Sequence, residues 1–324
     1  MACLFPIQCL CHLALFSWWM SNPNFTSSSH LFAVSGSGKT RLTLEGLCHN
    51  WGLYISCQAR SHNSQNLATG SRDFQTAIDI MKSMSMWDKG AGTSETDITK
   101  NVDVTNRAFA MLICARVFVL WHLLKKLPSD ADVMVARQRW LLVQVLPPSL
   151  PFVGDIFAAV VNSLRSASYD VMLHLACSML QEITGIVGDE NFPQKLLFAV
   201  VDETQVAAVY LKDSFRSFTT GIDMRPVLHA FYGFLWTTEI FRGVILAGTG
   251  LSMNMVQTAL SSQIAKPMSS RQTPIVFTEV GRFTKDGKDH ENYIRKYLSL
   301  SRSSSDQRLV ERILYWFSGR WVQL

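Results

Sequence analysis

Short apolar runs alternate along this chain with stretches of helical periodicity. Leu31-Phe32-Ala33-Val34, Gly52-Leu53-Tyr54-Ile55-Ser56-Cys57, Leu196-Leu197-Phe198-Ala199-Val200-Val201, Val244-Ile245-Leu246-Ala247 and Pro274-Ile275-Val276-Phe277-Thr278 each read as a strand. A run without polar alternation suits a parallel strand covered by helices on both faces. Residues 40–50 read as helix, with apolar side chains at Leu42, Leu44, Leu47 and Trp51. Further helices are predicted over Asp73 to Met84, Val104 to Leu127, Arg137 to Leu146 and Asp155 to Ile186, the last as one helix or two. An amphipathic helix is expected over 224–241, and two short ones at 288–300 and 305–317. Residues 60–71 and 88–101 are polar and read as loop and linker, and Pro147-Pro148 stops the helix before it. The predicted fold is therefore α/β. It has a parallel five-stranded sheet with helices on both faces, a large helical insert at 73–190 and short C-terminal helices.

The stretch Ala108 to Leu124 approaches the length of a membrane span. Arg116 stands in its middle, and a lone charge at the centre of a bilayer is costly. A core helix is the better reading, and no stable membrane span is expected. Residues 1–20 are apolar and aromatic, and no Lys, Arg, Asp or Glu precedes Lys39. A secretory leader starts basic and ends in small residues at its cleavage site; here Trp18-Trp19-Met20 occupies that place. Pro6, Gln8 and His12 also make a poor span. Residues 1–30 are thus read as a non-conforming segment, a leader, an anchor or, by preference, a gene-model artefact. Residues 31–324 are read as one nucleotide-binding domain.

The chemistry begins between the first strand and the first helix. Ser35-Gly36-Ser37-Gly38-Lys39-Thr40 forms a strand, glycine-rich turn, Lys-Thr, helix sequence, the layout of a phosphate-binding P-loop. Gly36 and Gly38 allow the backbone to wrap a polyphosphate so that successive N–H groups face its oxygens. The following helix adds the positive end of its dipole. Lys39 can reach the β- and γ-phosphates, and the Thr40 hydroxyl can ligate Mg²⁺. The nucleotide-binding set is Ser35, Gly36, Ser37, Gly38, Lys39, Thr40 and Arg41. Ala33 stands where the pattern G-x-x-x-x-G-K-[ST] has its first glycine.

A second signature is the apolar strand that ends in Asp202-Glu203. Asp202 is placed to share the Mg²⁺ with Thr40, as a Walker-B aspartate does. Glu203 is the candidate general base for the attacking water. A third strand ends in Gly248-Thr249-Gly250, and Thr249 is the candidate to sense the γ-phosphate or orient water. Arg320, after the last predicted helix, is the candidate finger arginine, with Arg271 and Arg282 as rivals. A finger acting in trans would imply a homo-oligomer. A glutamate directly after the Walker-B aspartate, with a later strand ending in a polar tip, fits ATPases that add a strand between the P-loop and Walker-B strands. No Asn-Lys-x-Asp for reading guanine occurs, so ATP is preferred to GTP.

Composition narrows this without redirecting it. The 324 residues are 48% hydrophobic and 17% charged, with a formal net charge of +5. That excludes disorder and permits anionic partners without requiring nucleic acid. The seven cysteines follow no disulfide framework and read as reduced thiols. Neither H-E-x-x-H nor G-x-S-x-G occurs.

Several stretches together resemble the NTPase module of fungal Crinkler-type and retrotransposon-hot-spot-like proteins. They are Phe32 to Arg41, Leu44-Glu45-Gly46-Leu47-Cys48 with Trp51-Gly52-Leu53-Tyr54, Arg139 to Pro148, Val200 to Ala208, and Ala247-Gly248-Thr249-Gly250-Leu251-Ser252. The resemblance runs from about Leu31 to Arg320. It implies a P-loop ATPase, with Lys39, Thr40, Asp202 and Glu203 carried over by position. In that family the module usually precedes a nuclease-like or kinase-like domain, and some members are secreted effectors that reach a host nucleus. Here residues 1–30 stand where such proteins carry a leader and an N-terminal domain, and Gly319-Arg320-Trp321 comes just before the last residues. Secretion and nuclease activity are therefore not carried over, and an intracellular place is favoured. The expected function is Mg²⁺-dependent ATP binding and hydrolysis. The alternatives are a nucleotide-dependent switch that binds protein or nucleic acid with little turnover, and an inactive truncated remnant.

Overall fold

Strand β1 (Ser28–Phe32) leads to helix α1 (Lys39–His49) and strand β2 (Gly52–Ser56). Among the described residues there follow the helices α2 (Asp73–Ser83), α3 (Glu95–Lys125), α4 (Val133–Val145), α5 (Ile156–Ser163) and α6 (Tyr169–Val187). The chain then forms β3 (Leu197–Asp202), α7 (Thr204–Val209), α8 (Val227–Thr237), β4 (Phe241–Gly248) and β5 (Ile275–Phe277). The structure is a computed structural model. It describes residues 28–32, 39–58, 70–87, 95–128, 130–147, 149–150, 154–187, 197–212, 214–216, 224–248, 275–277, 306–309 and 311–312. The strands lie in the order β2-β3-β4-β1-β5, and every neighbouring pair is parallel. The α/β class expected from the apolar runs is the class observed.

The two faces of the sheet are read from alternate residues, because successive strand side chains point to opposite sides. Leu53 and Ile55 of β2, Ala199 and Val201 of β3, and Val244 and Leu246 of β4 face one core, with Phe74, Phe109, Phe157 and Phe231 from the helices. Tyr54, Phe198, Val200, Ile245 and Ala247 face the other, against Leu42 and Leu47 of α1 and Leu141 of α4. Every residue of β3 and β4 is buried, as uninterrupted apolar strands in a covered parallel sheet should be.

Helix α3 contains the apolar stretch of spanning length, and 72% of its most apolar window is buried inside the fold. It packs on α2, α5, α6 and α8. Its central charge is the reason the helix belongs there. Arg116 is fully buried and grips Asp73 through two bonds, Nε to Oδ2 at 2.6 Å and Nη2 to Oδ1 at 2.8 Å. Its Nη1 donates to the Tyr54 carbonyl at 2.5 Å and to Gln144 Oε1 at 3.2 Å. Its guanidinium lies 4.9 Å from the centre of the Phe157 ring.

Strand β2 is an edge strand, and an uncovered edge exposes unpaired backbone groups. Side chains cover its middle. Gln144 behaves as a strand neighbour would: its Oε1 accepts from Tyr54 N at 2.8 Å and its Nε2 donates to Gly52 O at 3.2 Å. Trp140 Nε1 also donates to Gly52 O, at 2.8 Å. Helix α4 is set in place by Asp132, whose carboxylate accepts from Met134 N and Val135 N and so caps the first turn. Asp155 caps α5 in the same way and also accepts from Ser71 Oγ and Arg72 N.

Some boundaries differ from those expected. The linker 88–101 is cut short because α3 begins at Glu95. The helix expected over 224–241 is shorter, Val227–Thr237, and buried over most of its surface rather than amphipathic, because it is packed between α3, α7 and β4. Asp155 to Ile186 resolves into two helices. Strand β1 spans Ser28–Phe32, so it begins before Leu31; Ala33 and Val34 lie outside the described residues. Residues 306–309 and 311–312 are helical, while 288–300 lies outside the described residues. Cys48, Cys57, Cys114 and Cys177 are free thiols; Cys3, Cys9 and Cys11 lie outside the described residues.

Breaking the Arg116–Asp73 pair should cost heavily. Removing one partner of a buried pair leaves a buried charge and costs about 3–5 kcal/mol. Urea unfolding of Arg116→Met is expected to show a loss of that size, and Asp73→Asn in the same chain should recover part of it. A loss below about 1 kcal/mol would contradict this role.

Candidate functional site

The parallel register brings the carboxyl ends of four strands to one edge of the sheet. Phe32 of β1 lies beside Gly248 of β4, Val201 of β3 beside Leu246, and Ser56 of β2 beside Asp202. From β1 the chain runs to the far edge and returns through β3 and β4, then passes over β1 to β5. Ligands of open α/β sheets bind outside the carboxyl ends where the direction of winding reverses. Here that place is beside β1, and α1 starts there with Lys39.

Asp202, the last residue of β3, is almost fully buried. Its Oδ2 accepts two hydrogen bonds, from Thr40 Oγ1 at 2.9 Å and from the Tyr54 hydroxyl at 2.8 Å. Its Oδ1 accepts from Glu203 N at 2.8 Å. Thr40 stands 162 positions before it in the sequence, so the contact depends on the whole sheet being correctly assembled. The first turn of α1 is further tied by Thr43 Oγ1, which donates to Thr40 O at 2.8 Å.

Lys39 is buried, with 4% of its surface exposed. Burial pushes its ammonium down from the usual lysine range, against the opposing pull of Asp202 and then Glu203. The two carboxylates therefore share one electrostatic site with Lys39. Burial, reinforced by Asp202, pushes the Tyr54 phenol far above its ordinary range, so Tyr54 remains a neutral donor. Arg41 lies on α1 and is half-buried.

Glu203 stands just before α7, without a capping bond from its side chain, in a left-handed backbone conformation, φ 54° and ψ 37°, which is rare for a residue with a side chain. Gln205 Nε2 donates to its Oε2. Thr204 Oγ1 donates to Ala247 O at 2.8 Å and so fastens the turn after β3 to the end of β4. Such strained conformations cluster at functional sites, where the surrounding structure holds them.

Of the residues singled out in the sequence, Lys39, Thr40, Asp202 and Glu203 are brought together. Ser35, Gly36, Ser37, Gly38, Thr249 and Arg320 lie outside the described residues, as do Arg271 and Arg282. Tyr54 and Gln205 were not foreseen. Tyr54 looks like one more apolar residue of a buried strand, and only the register of β2 against β3 reveals that its hydroxyl reaches Asp202.

Thr40 Oγ1 and Asp202 Oδ2 are hard oxygen donors, a set that suits a hard cation such as Mg²⁺. That ion commonly takes one or two protein oxygens and completes its shell with phosphates and water. Among the described residues no group of three or more His, Cys, Asp and Glu side chains gathers as a metal cage. No protein-family model, curated protein or solved structure matches the chain.

Removing the Asp202 carboxylate should destabilise the protein even without a ligand, because a buried hydroxyl left without its acceptor costs about 1–3 kcal/mol. Asp202→Ala is expected to lose that amount in urea unfolding. Adding Tyr54→Phe should return part of it. Strict additivity of the two substitutions would contradict the observed bond.

Proposed function

We propose that this chain is a P-loop ATPase that binds and hydrolyses Mg²⁺-ATP at the carboxyl edge of its sheet, with a five-stranded P-loop NTPase fold. The observation that carries the reading is the 2.9 Å contact between Thr40 Oγ1 and Asp202 Oδ2. A Lys-Thr pair at the start of a helix and an acid at the tip of a buried strand meet where an Mg²⁺-triphosphate is held in such enzymes. The strand order supports the same reading, since β4 lies between β1 and β3. That is the added strand expected from Glu203 directly following Asp202. The likeness to Crinkler-type NTPase modules stands with this proposal.

The roles follow from charge and reach. Lys39 would bind the phosphate oxygens, regaining in their field the charge stabilisation that burial takes from it. Thr40 and Asp202 would hold the Mg²⁺, which when bound neutralises charge on the β- and γ-phosphates. Glu203 would accept the proton of the attacking water at its carboxylate, and Gln205 would hold that carboxylate in place. Residues 35–38 would supply main-chain N–H groups, Thr249 would sense the γ-phosphate, and Arg320 would serve as the finger.

A second reading has one observation in its favour. Arg116 and Gln144 of the helical insert hold the backbone of Tyr54, whose hydroxyl reaches Asp202. A nucleotide that shifts Asp202 could thereby change the insert, giving a switch that binds a protein or nucleic-acid partner with little turnover. Tight ATP binding with negligible hydrolysis would favour it.

ATP with Mg²⁺ at 100 times its dissociation constant should stabilise the protein by about 2.7 kcal/mol. Thermal melts are expected to show that gain in the unsubstituted chain and its loss in Lys39→Ala. Glu203→Gln should bind as tightly and hydrolyse about 100-fold more slowly, or slower still. Equal phosphate release by Glu203→Gln would contradict the role given to this carboxylate.

A further inference from the structure

The Tyr54 hydroxyl shares one oxygen of Asp202 with Thr40, yet Tyr54 lies on another strand and takes no part in the P-loop or Walker-B patterns. Its position is unusually constrained. The side chain is 1% exposed. Its backbone is held on both sides of the residue, with N–H donating to Gln144 Oε1 at 2.8 Å and C=O accepting from Arg116 Nη1 at 2.5 Å. Gly70, with φ +99°, lies so close that a Cβ there would come within 3.3 Å of Tyr54 Cε1. A ring fixed in this way gives its hydroxyl little freedom to leave Asp202.

We infer that Tyr54 is a positioning residue for the divalent cation, holding the Asp202 carboxylate at the angle needed to share the ion with Thr40. The inference rests on the proposed function. The three donors around Asp202 differ in what they must do when a cation arrives. Thr40 Oγ1 would offer a lone pair to the ion while its proton stays on Asp202 Oδ2, so this donor becomes a ligand itself. Glu203 N and the Tyr54 hydroxyl keep donating, one to each carboxylate oxygen. Tyr54 is then the donor to Oδ2 that does not itself touch the ion, and residues of this second layer commonly tune metal affinity by about 10–100-fold. The helical insert enters the same role, because Arg116 and Gln144 fix the strand residue that carries the hydroxyl.

The test is binding of a fluorescent, non-hydrolysable ATP analogue, titrated with Mg²⁺ and separately measured in EDTA. Tyr54→Phe removes one oxygen and keeps the ring. Its Mg²⁺ half-saturation is expected to rise about 10-fold or more, with affinity in EDTA unchanged. In Asp202→Asn, adding Tyr54→Phe should produce no further shift, because the hydroxyl acts through the carboxylate; this comparison is read against Asp202→Asn alone, whatever the stability of Tyr54→Phe by itself. An unchanged half-saturation in Tyr54→Phe overturns the inference and leaves the proposed function standing. An equal loss with Mg²⁺ and in EDTA also overturns it, since that marks a general structural effect. If the unsubstituted chain binds the analogue in neither condition, the proposed function fails and the inference with it.

Discussion

The Asp202 carboxylate joins parts of the chain that are far apart in sequence. It takes the Thr40 hydroxyl from the first turn of α1, the Tyr54 hydroxyl from the edge strand β2, and the N–H that begins α7. A carboxylate removed from water needs such donors, because a buried charge without them is too costly to keep. Their arrangement in turn requires β3 to lie in register with β2, and α1 to start beside the sheet edge. The site is thus a product of the whole fold.

The helical insert belongs to this same arrangement. Between β2 and β3, the long apolar helix α3 carries a charge at its centre and packs against α2, α5 and α6, and that charge is answered by Asp73. The remaining guanidinium nitrogen goes to the carbonyl of Tyr54, and Gln144 and Trp140 meet Tyr54 N and Gly52 O on the β2 edge. The middle of an edge that could otherwise pair with another chain is covered by side chains. The same contacts hold the residue whose hydroxyl reaches Asp202. Stability of the edge and geometry of the site therefore depend on the same few polar bonds.

Much of this was legible in the sequence, for physical reasons. Leu197 to Val201 and Val244 to Ala247 have no polar alternation, which only a strand covered on both faces tolerates, so the buried parallel sheet could be read directly. Arg116 in an apolar helix argued for a core position, and its burial against Asp73 supplies the reason. Local patterns do not carry register. For that reason the meeting of Tyr54 with Asp202 stayed hidden, although both residues were in plain view. The extent of α8 was equally hard to read: Val227 to Leu235 is covered from several sides, and a helix covered all round loses the polar face that marks its limits. The helix α3 begins earlier than its apolar pattern does, because its first turns are polar.

We propose that Thr40 and Asp202 share one Mg²⁺-triphosphate. The most direct measurement is a crystal structure of the chain with Mn²⁺ and a non-hydrolysable ATP analogue, with the anomalous signal of manganese used to locate the ion. A single peak between Thr40 Oγ1 and the Asp202 carboxylate is expected, with the triphosphate beside Lys39. A peak elsewhere on the molecule, or a nucleotide bound away from the carboxyl edge of the sheet, would contradict it.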